Sequence, residues 1–342
     1  MTIGNPPQVL RALIDINWKS LFVPSVECQH SPDSSSLCRD YVRNFFNGTA
    51  SSTHRSFGAA KLVGYDGALF KGLKASDTVR IGPHNLANQY FLEATSVTPN
   101  DFVSFYFNYD SVLGLAPEQI ARDRGSSTFS KSPEHRSPFQ SLISEGRLER
   151  PRFSILLPKP PRLPTQTRTG GYLLLGEDDP IYFKSKFLSI PIDSDSVDKG
   201  LWKSAVTSYS FNSSIPILFP AGSIISFDTT LPFIHVSEQL ARTIKNGLPA
   251  EIIPCDQRSA LPVLKFTISS ITLELDGYDY MIEWYKNGEI KEQYCRLAVI
   301  GRSQGPKDIM LESIFFQKYY SVFDLESLAI NITPRLEDAN IT

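Results

Sequence analysis

Ala12-Leu13-Ile14-Asp15-Ile16-Asn17-Trp18 is an apolar run broken by a single carboxylate, and its reading decides the fold. A second stretch repeats the pattern far downstream: Ile224-Ile225-Ser226-Phe227-Asp228-Thr229-Thr230-Leu231. In each, aliphatic or aromatic residues lead straight into an Asp. A carboxylate at the end of a buried strand is partly desolvated, which raises its pKa unless hydrogen bonds offset the burial. Two such groups face to face cannot both ionise easily, so they share a proton. The pair predicts acid/base chemistry assembled from two half-sites, one in each half of a duplicated chain.

Outward from these stretches, proline is frequent and helical periodicity is rare. Tyr172-Leu173-Leu174-Leu175, Phe187 to Ile192 and Leu264 to Ile268 read as short strands. Helical pattern appears only in short pieces, such as Pro138–Glu145, Ser237–Lys245 and Ser313–Lys318. The class is therefore all-β. A length of 342 residues predicts about two domains with ample core. The Pro-, Thr- and Arg-rich segment Pro158–Gly171 reads as a connection or surface loop, and Arg122–His135 as a second polar loop. A net charge of −2 without a basic run gives no nucleic-acid footprint. Neither a zinc-type Cys/His spacing nor a Gly-rich phosphate loop occurs, so no metal and no cofactor is expected. No stretch approaches the ~18 apolar residues that span a bilayer. Of five scattered His, His235 alone lies near a half-site, and a lone His beside a strand is read as structural.

An ordered series of segments resembles the pepsin family of aspartic peptidases. Thr2-Ile3-Gly4-Asn5-Pro6-Pro7-Gln8 resembles the family's opening strand and turn, and Asp15 stands where its first catalytic Asp belongs. Leu21-Phe22-Val23-Pro24-Ser25, Asp77 to Gly82, Asn88 to Phe91, Ser111 to Ala116, Ser137-Pro138-Phe139, Pro151 to Ser154 and Tyr319 to Asp324 follow in family order. The resemblance implies a bilobal fold of two duplicated β-lobes, 1–164 and 165–342, with a cleft between them. It assigns Asp15 and Asp228 as the catalytic pair and Tyr65, twelve residues before Asp77, as the flap tyrosine. It also implies the disulfides Cys28–Cys38 and Cys255–Cys295. Together with the sequons at Asn47, Asn212, Asn331 and Asn340, these imply a secretory or vacuolar route. Met1 directly precedes the family's opening strand, so the alternatives are a mature fragment or a native cytosolic start with reduced thiols. The first strand of the inter-lobe sheet is expected to be shortened.

The family motif Asp-Thr/Ser-Gly-Ser/Thr is altered at both half-sites. Asn17 and Thr230 replace its glycines and bring side chains into a crowded place. Ile16 replaces a hydroxyl that bonds across to the opposite loop, while Thr229 keeps its counterpart. Trp18 and Leu231 replace hydroxyls that steady the carboxylates. Phe22 replaces the Trp that partners the flap tyrosine, and Leu69 makes the flap tip more apolar. Glu312, in Met310-Leu311-Glu312-Ser313, stands where the family has a glycine beneath the second Asp. It is expected either near Asp228, where it would raise a pKa, or turned to solvent.

Three functions are compatible with this pattern. One is a repurposed acid/base enzyme acting on a small apolar substrate by cyclisation, dehydration, condensation or hydrolysis. Another is an acid endopeptidase of altered specificity. The third is a non-catalytic descendant that binds a peptide or partner. All three place a small-molecule or peptide ligand in the cleft of a monomer.

Overall fold

The alternating pattern becomes sheet over most of the chain. A computed structural model describes residues 1–30, 38, 44–65, 68–98, 109–116, 136–158, 171–183, 186–193, 196, 201–286, 289–302 and 308–335. Two compact units result, one of Met1–Leu148 and one of Glu149–Val197 with Leu201–Thr342. The connection expected within Pro158–Gly171, including the 164/165 junction, falls at residues 159–170, outside the described residues, as does the loop at 122–135.

The first unit is one 8-stranded sheet. Its strands are β1 (Thr2–Ile3), β2 (Gln8–Val9), β3 (Ala12–Asp15), β4 (Leu21–Pro24), β5 (Arg55–Tyr65), β6 (Ala68–Ile81), β7 (His84–Thr98) and β8 (Ser111–Gly114). They run in the order β2-β1-β6-β7-β4-β8-β3, with β5 on β6. All four residues of β4 are buried, and its period of two sends them to two cores. Phe22 joins Phe70, Leu92, Val97 and Val112, with Trp18 packed against them. Leu21 and Val23 join Ile3, Phe46, Val79 and Phe91. The helix Pro138–Ser144 starts where its sequence dictates, with Pro in the first turn and a Ser137/Gln140 capping box.

The second unit holds three larger sheets. β9 (Arg152–Leu156) and β10 (Tyr172–Leu175) join β11 (Leu188–Pro191), β24 (Tyr319–Asp324) and β25 (Ala329–Pro334) in the order β10-β9-β24-β25-β11. β12 (Lys203–Ala205), β15 (Ile224–Phe227), β16 (Ile234–Ser237), β22 (Val299–Arg302) and β23 (Asp308–Leu311) run β12-β15-β23-β16-β22. β13 (Ser208–Phe211), β14 (Ile217–Leu218), β18 (Leu264–Ile268) and β19 (Ile271–Leu275) form a third. The remaining strands, β17 (Ile252–Pro254), β20 (Met281–Lys286) and β21 (Glu289–Leu297), pair as β17-β21-β20. The other two expected helical pieces form at Glu238–Asn246 and Ser313–Lys318.

The duplication holds at the level of register. In the first unit Leu113 of β8 lies between Ile14 of parallel β3 and Leu21 of antiparallel β4. In the second, Leu311 of β23 lies between Phe227 of parallel β15 and Ile234 of antiparallel β16. The shared offset, 228 − 15 = 213, also pairs Phe22 with His235 (235 − 22 = 213) and Trp18 with Leu231 (231 − 18 = 213). Both disulfides form, Cys28–Cys38 and Cys255–Cys295.

Candidate functional site

Asp15 ends β3 opposite Gly114, and its carbonyl accepts from Leu115 N at 2.9 Å. The side chain is 4% exposed. Its Oδ1 accepts the main-chain N–H of Asn17 at 2.8 Å. Asp228 follows β15 directly, donating its own N–H to Leu311 O at 3.0 Å, and is half-buried. Its Oδ1 accepts the N–H of Thr230 at 2.9 Å. The same Asx-type bond, to the N–H two residues on, thus holds each carboxylate. Because the donor is main chain, it survives the replacement of glycine by Asn17 and Thr230. These two side chains are themselves half-buried.

The other replacements are packed residues. Ile16 is fully buried and brings no hydroxyl, Thr229 is buried at 5% exposure, and Leu231 is buried. Trp18 lies on the core around Phe22, and the Phe22 and Phe70 rings are 4.5 Å apart. Tyr65 closes the β5–β6 hairpin opposite Ala68, with Leu69 opposite Gly64, which gives the expected flap the form of a hairpin. The side chains of Tyr65 and Leu69 lie outside what the structure describes.

Glu312 does not turn to solvent: it is 2% exposed. One step beyond the Phe227–Leu311 pair, it takes the place opposite Asp228 that Gly114 takes opposite Asp15. At Gly114 a Cβ would lie 2.2 Å from Trp18 O and 2.5 Å from Ser20 O, so no side chain fits. The second unit admits one. Glu312 keeps the equivalent main-chain bond, N–H to Phe233 O at 3.2 Å, against Gly114 N to Ser20 O at 3.0 Å.

Within the second unit, the Glu312 carboxylate faces His235. Nε2 of the imidazole is 3.3 Å from Oε1, and both residues are buried. On the other side of the ring, Nδ1 accepts from Arg302 Nε at 2.8 Å. Guanidinium has no acceptor, so Nδ1 must offer its lone pair and the proton resides on Nε2, toward Glu312. Burial disfavours the imidazolium and the Arg302 charge adds to it, so the His235 pKa is pushed down to about 4. Sequence reading passed over this group. The available signal was the repeat offset, which sets His235 against Phe22 and so marks a polar residue at a core position.

Among the described residues no group of three or more His, Cys, Asp or Glu is placed to hold a metal ion. No helix among them is long and apolar enough to cross a membrane.

A family model for eukaryotic aspartyl protease matches residues 1–335. Similar curated proteins include a probable vacuolar protease A of Trichophyton verrucosum, 25% identical over 339 residues, covering 95% of this chain and 75% of that protein. A vacuolar aspartic protease of Candida albicans is 25% identical over 347 residues, covering 97% and 73%. Pepsin B of Canis lupus familiaris is 25% identical over 336 residues, covering 95% and 77%.

Proposed function

The chain belongs to the eukaryotic aspartyl protease family, and from that premise we propose that it is a carboxylate-dyad acid/base enzyme acting on a compact, apolar substrate. In this reading Asp15 and Asp228 divide the roles of base and acid between them. One carboxylate takes the water's proton as it attacks, and the other protonates the leaving atom. The observation that carries this reading is the matched support of the two carboxylates. Each accepts the N–H two residues on, at 2.8 and 2.9 Å, although the surrounding residues differ completely. A decayed site has no reason to keep both.

The narrowing to a compact substrate rests on Ile16 and Glu312. Ile16 removes one hydroxyl of the cross-loop pair, and Glu312 adds a buried carboxylate behind Asp228. A changed support shell moves a dyad, and small displacements cost orders of magnitude in rate on a demanding amide. Activated small molecules tolerate such a change better. A second reading, an acid endopeptidase of altered specificity, is favoured by the burial of Leu231 and the packing of Trp18 on the core. Those two residues then act as structure and do not reshape a binding surface. The relatives' names also point that way.

Digestion of a denatured protein from pH 3 to 7, with wild type, Asp15→Asn and Asp228→Asn, separates the two readings. No cleavage by the folded wild type, together with turnover of a small apolar ester that either substitution abolishes, is the expected result. Asp-dependent digestion of the denatured protein establishes the endopeptidase instead. Turnover of neither substrate class contradicts both readings and leaves a binding role. The two disulfides and the vacuolar relatives accord with an oxidising, secretory or vacuolar setting.

A further inference from the structure

The two most drastic departures in the second half-site are Glu for Gly and His for Phe, judged against the first unit. They do not fall at random. Glu312 and His235 occupy the positions equivalent to Gly114 and Phe22, and their side chains meet at 3.3 Å. An isolated buried carboxylate is strongly unfavourable, and so is an isolated polar ring at a core position. Placed side by side, the imidazole Nε2 and the carboxylate Oε1 stand in electrostatic contact whose geometry falls short of a hydrogen bond. Arg302, the exposed last residue of β22, completes the set from the same face of the sheet, two residues beyond His235's partner Ile300.

We propose that Glu312, His235 and Arg302 form a positioning chain behind Asp228, which fixes the second half-site through side chains where the first relies on a close-packed glycine. The inference rests on the reading that Asp228 does acid/base work. Its direction is set by donor chemistry. Arg302 donates to Nδ1, the remaining imidazole proton lies on Nε2, and that N–H faces Glu312 Oε1. Glu312 is anchored at the other end by its backbone, whose N–H holds Phe233 O and whose preceding carbonyl, that of Leu311, receives the Asp228 N–H. The Phe233 ring closes over His235 edge-on at 6.2 Å. Glu238 of the adjoining helix lies against Gly301, and Arg242 takes its carboxylate at 2.7 Å. None of the three residues needs to touch substrate.

The test is NMR of the full chain, with 15N-labelled histidine and 13Cγ-labelled aspartate, titrated from pH 8 to 3. In wild type His235 is expected to show the Nε2–H tautomer throughout the neutral range and to protonate well below the other His. Arg302→Met is expected to raise that midpoint by about one pH unit, through loss of a nearby positive charge. Glu312→Gln is expected to move the Asp228 13Cγ resonance at pH 7 and leave that of Asp15 in place. If Glu312→Gln does not fold, the double variant Glu312→Gly/His235→Phe restores the first unit's pair and gives the same Asp228 comparison. An Asp228 13Cγ resonance unchanged in these variants, or a wild-type His235 that exchanges tautomers in the neutral range, overturns the proposal. Both readouts are independent of turnover. A shifted Asp228 in an inactive protein therefore discards the proposed function alone, and an unshifted one in an active enzyme discards the positioning chain alone.

Discussion

Gly114 and Glu312 show how one residue position can be solved in two ways by a duplicated fold. At Gly114 the carbonyls of Trp18 and Ser20 leave no space for even one carbon. Gly114→Ala is accordingly expected to cost about 3 kcal/mol or more, as backbone atoms must shift to admit the methyl group. Urea unfolding of the variant checks this. At the second position the extra volume is accepted, and His235 Nε2 stands 3.3 Å from the carboxylate. That imidazole carries a pH signature. Its pKa falls from 6.5 to about 4 on folding, so between these values the unfolded chain binds a proton that the folded chain does not. Stability contributed by neutral His235 is full above about pH 6.5 and is lost as pH falls toward 4, a span worth about 3 kcal/mol. His235→Phe should flatten the stability profile in that window relative to wild type. A profile identical to wild type would show that folding leaves the His235 pKa at its ordinary value.

Single side chains also fix how strands begin. Asp110, fully buried just before β8, accepts from Arg11 N at 2.8 Å, Arg11 Nη2 at 3.1 Å and Asn44 N at 3.0 Å. It thereby ties the start of β3, and hence the approach to Asp15, to the start of β8. Burial alone would raise the Asp110 pKa, but these bonds and the Arg11 charge outweigh it and hold it below the ordinary carboxylate value. The sign follows: the stabilisation is present above the unfolded pKa of 3.8 and disappears as pH falls through the lower folded value. Asp110→Asn is expected to cost about 1–3 kcal/mol near neutral pH, with the deficit closing in acid. Denaturant unfolding of both proteins at pH 7 and pH 3 measures it. Sequence patterning found most such elements but few of these ties. Short apolar runs located β10, β18 and the two Asp-bearing strands, and Ser137-Pro138 located a helix start, because each signal is local. Asp110, His235 and Arg302 bond to residues tens of positions away, and an isolated Asp or His in a run gives no hint of such a partner.

At the scale of the molecule, the repeated Asp-bearing stretch was legible because duplication leaves the same pattern twice. The equivalence extends well beyond it, through β4 and β16 and through β8 and β23. There the side chains differ so much that only the register reveals the kinship. Glu312 was legible as an oddity, and its alternatives narrowed to one when the register set it opposite Asp228. Asn17 and Thr230 stand in the place of the glycines, and their main-chain N–H groups hold both carboxylates in the same way.

The proposed chemistry requires Asp15 and Asp228 together, and turnover of the small apolar ester by wild type, Asp15→Asn, Asp228→Asn and the double variant tests that most directly. Joint action predicts that either single substitution costs as much as both, without additivity. If either single variant keeps wild-type turnover, or the two losses simply add, the half-sites work separately and the proposed chemistry fails.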